Sequence, residues 1–230
     1  MDRTTFITND GSTTIVISST KQYFHSIHGA IQESMHVFIE GGLLPLLRSG
    51  HQVNIFELGF GTGLNALLTL INTQQYPQPI HYTAVEAFPL ENSLVEELNY
   101  CEILKRADMK RAFLQMHESS WNEEVILSPL FTLKKIKSSL LEYSTSELFN
   151  LIYFDAFAPD EQPELWTIEV FKRMFNMLVP GGILVTYSAK GSVRRSMQAV
   201  GFKVEKLPGA TGKREMLRAI KGNIARMKQG

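Results

Sequence analysis

Residues 53–65 constrain the fold more than any other segment, because they join a strand, a glycine turn and a helix. Four of the first six of these residues are apolar and two of those are β-branched, as in a strand inside a sheet. Gly59, Gly61 and Gly63 follow at every second position, where the chain must turn and a ligand can approach bare backbone. A helical pattern starts at Leu64. This order is typical of a nucleotide-type cofactor site in an α/β sheet.

An acidic residue before the glycines indicates the kind of cofactor. The spacing is G-x-G-x-G preceded by Glu57, which differs from the G-x-G-x-x-G of dinucleotide-binding enzymes. A carboxylate at this position would repel a pyrophosphate and suits a cofactor with a cationic amino-acid tail. The pattern therefore favours S-adenosylmethionine over NAD or FAD. Taken alone, the glycines are also compatible with a tightly packed turn that binds nothing.

Strands and helices alternate after residue 52, which predicts an α/β fold with a doubly wound, mostly parallel sheet. The last two strands are too close for a crossover helix and should form an antiparallel hairpin, as in class I methyltransferases. Residues 117–131 show no clear pattern. Strands are predicted over 53–58, 80–87, 132–138, 149–155, 182–188, 202–207 and 215–221, and helices over 63–75, 91–106, 110–116, 163–178 and 191–200.

The first 50 residues predict a small extension. Residues 4–8 and 13–18 alternate like strands around Asn-Asp-Gly at 9–11, a strong hairpin pattern. A helical pattern covers 31–47. We therefore expect an N-terminal extension over 1–50, a β-hairpin plus a helix, and a methyltransferase-like domain over 51–230.

Composition excludes several classes of protein. No apolar run approaches the ~18 residues of a membrane span, and the first residues lack a signal-peptide profile. The single cysteine, Cys101, excludes an internal disulfide framework, and the six histidines show no metal-ligand spacing. We expect a soluble cytoplasmic protein that binds no metal.

Charge is distributed unevenly along the chain. The 23 basic and 23 acidic residues balance overall, but residues 190–230 carry 11 basic and two acidic side chains. This segment has a net charge of +9, and residues 1–189 carry −9. A basic end on an acidic body indicates a phosphate-bearing partner, and the alternative is a solvated basic tail.

Polar side chains follow the predicted strands at the sheet edge where ligands bind in parallel sheets. Glu86 could accept both hydroxyls of a ribose, and Ser139 could accept a hydrogen bond from an adenine amino group. Asp155 could bind an amine and aim its lone pair at a methyl donor, and Phe157 could stack on a flat substrate. The alternatives are an exposed strand-end acid for Glu86 and a helix cap for Asp155.

Several segments together resemble the family of tRNA 5-aminomethyl-2-thiouridine methyltransferases (MnmC/MnmD type). The F-G-T-G-L-N, D-x-F-A-P and G-K-R-E-M elements are more specific than the glycines alone. The matching segments are residues 23–30 with Glu33, 36–39 and 42–43; 57–65; 155–159 with 163–166; and 180–182, 187–188, 193–195, 201–202, 209 and 212–216.

The resemblance implies methyl transfer from S-adenosylmethionine to the exocyclic amine of 5-aminomethyl-(2-thio)uridine at the wobble position of tRNA. Asp155 would be the catalytic residue. The cofactor would contact Glu57, Gly59, Gly61, Gly63, Leu64, Asn65, Glu86, Ser139 and Asp155. The substrate and tRNA would contact Tyr23, His28, Glu33, Phe157, Arg194, Arg195, Lys213 and Arg214.

Some relatives in this family also carry an FAD-dependent oxidase domain that prepares the substrate amine. No such domain follows in these 230 residues, so we expect a separate enzyme to supply the aminomethyl-uridine. Two other functions stay open. One is transfer to a small amine, either by methylation or by a spermidine-synthase-type aminopropyl reaction, and the other is a nucleic-acid-binding module without catalysis.

Overall fold

A central eight-stranded sheet and a small three-stranded sheet organise the molecule, which we describe from a computed structural model over residues 2–48 and 52–222. The strands are β1 (Arg3–Ile7), β2 (Thr13–Ile17), β3 (Gln22–Tyr23), β4 (Val53–Leu58), β5 (Ile80–Glu86), β6 (Glu124–Ser128), β7 (Phe131–Lys137), β8 (Phe149–Phe154), β9 (Leu178–Thr186), β10 (Phe202–Pro208) and β11 (Glu215–Lys221).

Helices cover both faces of the central sheet. They are α1 (Ala30–Ser34), which continues through a π-helical segment (Met35–Leu43) into α2 (Leu44–Leu47), then α3 (Leu64–Thr73), α4 (Asn92–Glu96), α5 (Tyr100–Ile103), α6 (Lys110–Glu118), α7 (Ile168–Met177) and α8 (Gly191–Ala199). Two 3₁₀ turns precede α6 and α7, at Ala107–Met109 and Pro163–Trp166. No helix in residues 2–48 and 52–222 is long and apolar enough to cross a lipid bilayer.

The predicted α/β architecture is confirmed. The strand order is β10-β11-β9-β8-β4-β5-β7-β6, and β7, β5, β4, β8 and β9 run parallel. The last two strands form the predicted antiparallel hairpin, with Phe202 opposite Lys221. Because β4 lies between β5 and β8, the turn after β4 stands at the middle of the carboxyl edge of the sheet.

Two strands of the sheet differ from the prediction, the edge strand β6 and the inner strand β9. Residues 124–128, within the unreadable 117–131 stretch, form strand β6 antiparallel to β7. Its side chains are only half-buried or exposed, so it lacks the apolar pattern of the inner strands. Strand β9 begins at Leu178, not at 182, because the register with β8 shifts across Pro180 and the two glycines that follow.

The prediction of one continuous helix over 91–106 is wrong, because α4 and α5 are separated by a break that includes Asn99. The Asn99 side chain donates to the carbonyl of Gly11 (2.9 Å) and accepts from the Thr13 amide (2.8 Å), so it holds the first hairpin. The helix predicted over 163–178 is likewise interrupted. Thr167 accepts from the Val170 amide and starts α7 anew.

The N-terminal extension contains the predicted hairpin and helix, and β3 adds a third strand beside β2. The boundary that we predicted between residues 50 and 51 lies outside the described residues, so the division into two domains stays a prediction. The π-helical segment buries Val37, Phe38 and Ile39 and packs against β8 and β9.

Gly42 sets how closely this segment approaches the sheet. A Cβ atom on Gly42 would lie 3.0 Å from Val185 Cγ2 and 3.1 Å from Leu151 Cδ1, both on buried side chains. We predict that Gly42→Val lowers the free energy of unfolding by about 1–3 kcal/mol, since a packed core cannot absorb extra methyl groups. Urea unfolding followed by circular dichroism measures this loss.

The matched control is Gly191→Val, at the exposed start of α8. A Cβ atom there would meet only the flexible end of Arg195, at 3.2 Å. We expect its unfolding midpoint to stay close to that of the wild type. Equal midpoints for the two variants would show that the helix–sheet distance does not depend on Gly42.

Candidate active site

A cavity of about 660 Å³ opens at the carboxyl edge of the sheet, between the strand ends and the N-terminal extension. The turn after β4, Glu86 at the end of β5 and Asp155 just after β8 form its floor. Residues 22–27 and Glu33 form the opposite wall. The predicted strand-end residues therefore do meet at one place.

The glycine turn presents bare backbone to this cavity. Gly59, Gly61 and Gly63 all have positive φ angles (87°, 49° and 71°), which disfavour residues with a side chain. A Cβ atom on Gly59 would lie 3.0 Å from the carbonyl oxygen of Asp155. Gly59, Gly61, Leu64 and Asn65 line the cavity, and Gly63 lies behind them as the N-cap of α3.

Glu86 lies beside the turn with its carboxylate held by two backbone amides. One oxygen accepts from the amide of Gly61 (3.0 Å), and the other accepts from the amide of Phe88 (2.7 Å). Ser139 also lines the cavity, and its hydroxyl accepts from the amide of Leu141 (3.2 Å). Both residues stand where a nucleoside could be bound.

Asn65 links two acidic residues beneath the turn. Its Nδ2 atom donates to Glu57 Oε1 and to Asp155 Oδ2, each at 2.9 Å. Glu57 is only 1% exposed and does not line the cavity, so it stands behind the site where we expected a direct contact. Burial raises the pKa of Glu57 well above its usual range, and the bond from Asn65 opposes this shift.

Of the two acids joined by Asn65, Asp155 is the one that faces the cavity. Burial raises its pKa to about 7, and the negative charge of Glu33 adds to this rise. The hydrogen bond from Asn65 and the positive charge of Lys213 act in the opposite direction. The carboxyl group can therefore exchange a proton near neutral pH. It caps no helix, because α7 is capped by Thr167.

Lys213 lies in the cavity, although we predicted it on a surface that contacts phosphates. Its ammonium group forms an ion pair with Glu33 Oε1 and lies 3.9 Å from the centre of the Tyr187 ring. Glu33 is held in turn by the amide of Ser26 (2.8 Å). The hydroxyl of Tyr187 donates to the carbonyl of Ala156 (2.8 Å).

Tyr187 is a cavity residue that the sequence analysis missed. It follows β9 directly, so the rule that selected Glu86 and Asp155 at strand ends applied to it as well. His25 and Phe24 were also missed. His25 is buried against Thr14 and Thr62, and burial lowers its pKa to about 4.

The remaining predicted residues divide into two groups. Tyr23 and Phe157 line the cavity, and Phe157 packs edge-to-face on Phe24 with ring centres 5.4 Å apart. Outside the cavity lie His28, which contacts Gly212, and the arginines Arg194, Arg195 and Arg214. Among the described residues, no three histidine, cysteine or carboxylate side chains are grouped to hold a metal ion.

The fold and this edge of the sheet define a class I methyltransferase, in which a glycine turn and a strand-end carboxylate face a common cavity. Residues 105–222 match the model of a family described as S-adenosyl-L-methionine-dependent methyltransferase, which is half of the chain. The chain therefore belongs to this family. The predicted cofactor, S-adenosylmethionine, is confirmed by the same match.

Two curated relatives are both named tRNA 5-methylaminomethyl-2-thiouridine biosynthesis bifunctional protein MnmC. The protein of Pseudoalteromonas atlantica is 34% identical over 92% of this chain, and that of Magnetococcus marinus is 31% identical over 87%. The chain spans about a third of their length, 32% and 31%. This similarity agrees with the resemblance that the motifs indicated.

Two solved structures are similar in fold. MNMC2 from Aquifex aeolicus has a TM-score of 0.71 at 23% identity, covering 95% of this chain and 70% of that one. Spermidine synthase from Thermotoga maritima has a TM-score of 0.58 at 13% identity, covering 95% and 68%. At these identities the similarity establishes the fold alone.

The raised pKa of Asp155 predicts how stability depends on pH. Folding moves this pKa from 3.8 to about 7, so ionisation of Asp155 costs the folded state stability as pH rises from about 4 to 7. Asp155→Asn removes that cost. We expect the variant to match the wild type near pH 4 and to exceed it by about 1–3 kcal/mol at pH 8, measured by thermal unfolding across pH.

The same substitution at Asp160 is the control. Asp160 is exposed and pairs with Lys190 at the surface. Its variant should differ from the wild type by a small amount, because an ion pair at the surface contributes little to stability. If the stability difference between Asp155→Asn and the wild type were independent of pH, the pKa of the Asp155 carboxyl would not be raised.

Proposed function

We propose that this protein transfers a methyl group from S-adenosylmethionine to the exocyclic amine of 5-aminomethyl-(2-thio)uridine at the wobble position of tRNA. The observation that carries the proposal is the similarity to the MnmC proteins, 34% identity over 92% of the chain, whose name states this modification. The carboxyl of Asp155, set beside the glycine turn in a cavity of suitable size, supports it.

The cofactor fits the residues on the floor of the cavity. Gly59 and Gly61 leave the space that a Cβ atom would fill, and the Glu86 carboxylate beside them suits a ribose diol. Ser139 stands where an adenine contact would be made, and Leu64 and Asn65 complete this wall. Glu57 would act through Asn65, which it fixes in place.

Asp155 would orient the amine. S-adenosylmethionine, when bound, supplies an electrophilic methyl carbon on a sulfonium. The neutral amine nitrogen would form the new bond to that carbon as the carbon–sulfur bond breaks, and the product ammonium would then lose a proton. The Asp155 carboxylate can accept a hydrogen bond from the amine and, with a pKa of about 7, can hold the proton that the amine gives up.

Glu33, Lys213 and Tyr187 would bound the substrate side of the cavity. The Lys213–Glu33 ion pair keeps the Lys213 ammonium beside Asp155, where it favours the ionised carboxylate. Phe157 and Tyr23 offer aromatic surface to a uracil ring at the mouth. Exclusion of water by these walls would strengthen the bond between Asp155 and the amine.

Basic side chains next to the cavity would bind the tRNA phosphates. The turn between β10 and β11 carries Lys213 into the cavity and Arg214 to the surface. Arg214 and Arg194 both lie close enough to Glu215 to lower its pKa, which places them in one basic patch with the neighbouring Arg195. Arg226 and Lys228, which add to the charge of the segment, lie outside the described residues.

The substrate requires an enzyme that forms the aminomethyl group. The relatives are named bifunctional. From the family resemblance we infer that an FAD-dependent oxidase, on a separate chain or in a separate domain, supplies the aminomethyl group. A tRNA substrate places the reaction in the cytoplasm.

Radiolabelled methyl transfer tests the proposal directly. We expect label from S-adenosylmethionine in tRNA that carries unmethylated aminomethyl-uridine, and none in tRNA that lacks this group. Asp155→Ala should remove most of the turnover while cofactor affinity by calorimetry stays within a few-fold of the wild type, because the residue acts on the amine. Label in spermidine or putrescine but not in tRNA would contradict the proposed substrate.

The basic patch is tested by charge reversal. We expect Arg195→Glu with Arg214→Glu, both exposed, to weaken tRNA binding and to reduce the slope of log affinity against log salt by about one per lost phosphate contact. The matched control reverses Lys110 and Arg111 on α6, which packs at the opposite edge of the sheet from α8. Equal slopes for both double variants would place the tRNA surface elsewhere.

A further inference from the structure

Lys135, in strand β7, is a buried cation that the proposed reaction does not use. The residue is 1% exposed, and none of the ion pairs among the described residues includes it. Its ammonium group lies 4.6 Å from the centre of the Trp121 ring and 5.6 Å from that of Phe60. Burying an ammonium group without a carboxylate costs stability, so a functional reason for its presence should be sought.

The ammonium group binds the end of helix α6. Lys135 Nζ donates to the carbonyl of His117 at 2.8 Å. His117 lies in the last turn of α6, where carbonyl groups have no partner within the helix and carry partial negative charge. Lys135 therefore fixes the position at which α6 ends, and with it the His117 side chain.

The His117 ring holds the glycine turn from behind. Its Nε2 atom lies 3.0 Å from the carbonyl oxygen of Thr62. Burial lowers the pKa of His117 to about 4, so the ring is neutral and its Nε2–H donates to that carbonyl. The ring also packs on Phe60, with ring centres 5.2 Å apart. It lies so close to Gly63 that a Cβ atom there would be only 2.8 Å from Nε2.

We propose that Lys135 and His117 act together as a positioning unit, which holds the glycine turn in the conformation that binds S-adenosylmethionine. The three glycines of the turn have positive φ angles and need support from outside the turn to keep one conformation. Thr62 lies between Gly61 and Gly63, so a hydrogen bond at its carbonyl restrains both. Neither His117 nor Lys135 lines the cavity, so the proposal concerns cofactor binding only.

Calorimetry with S-adenosylhomocysteine tests the proposal without a methyl acceptor, so the result does not depend on the proposed substrate. We expect His117→Leu to weaken binding about tenfold or more, because the bond to Thr62 is lost. His117→Gln, which keeps a donor, should stay within about threefold of the wild type. The control is His81→Leu, on an exposed histidine far from the turn. Wild-type affinity in His117→Leu would overturn the proposal.

The Lys135→Met variant distinguishes a role of Lys135 in positioning the glycine turn from a role in the stability of the whole fold. The variant removes a buried charge that has no carboxylate partner, so its unfolding midpoint should equal or exceed that of the wild type. Its affinity for S-adenosylhomocysteine should nevertheless fall about fivefold. In turnover assays with a methyl acceptor that the enzyme uses, KM for S-adenosylmethionine should rise in both His117→Leu and Lys135→Met. Their kcat should stay within about threefold of the wild-type value. Loss of affinity only in proportion to loss of stability would show a merely structural role.

Discussion

The side-chain amide of Asn65 is the interaction on which the site depends. One nitrogen donates to the end of β4, through Glu57, and to the end of β8, through Asp155. Without this shared donor, two buried carboxyl groups would face each other, and one would have to be neutral or move away. Because Asn65 is the second residue of helix α3, just after the glycine turn, the turn, the helix and both acids are held in one arrangement.

Much of this site could be predicted from the sequence because the parallel sheet brings strand ends together. The alternation of strand and helix patterns predicted the order of the elements. The glycines, Glu86 and Asp155 were then predicted as site residues because they lie at the ends of predicted strands. Tertiary contacts decided the rest. Asn99 interrupts a helical pattern because its amide binds the first hairpin, and Lys213 turns inward because Glu33, 180 positions earlier, offers a buried carboxylate. No local pattern contains such partners.

The N-terminal extension and the central sheet contribute different chemistry to the cavity. The sheet lines the cavity with the bare backbone of Gly59 and Gly61 and with the carboxyl groups of Glu86 and Asp155. The extension lines the cavity with Glu33, His25 and aromatic side chains, which in the proposed reaction would limit the acceptors that can reach Asp155. Spermidine synthase from Thermotoga maritima has a similar fold at only 13% identity.

The ion pair between Glu33 and Lys213 has a consequence for synthesis of the protein on the ribosome. Glu33 and Lys213 are separated by 180 residues in the sequence. The hairpin of β1 and β2 likewise forms a hydrogen bond with a residue that comes much later in the chain, Asn99. Contacts so distant in sequence form late, because most of the chain must emerge before its ends can meet. The glycine turn and its neighbouring strands can assemble earlier. The nascent protein would then have its cofactor-binding half ready before the acceptor pocket closes.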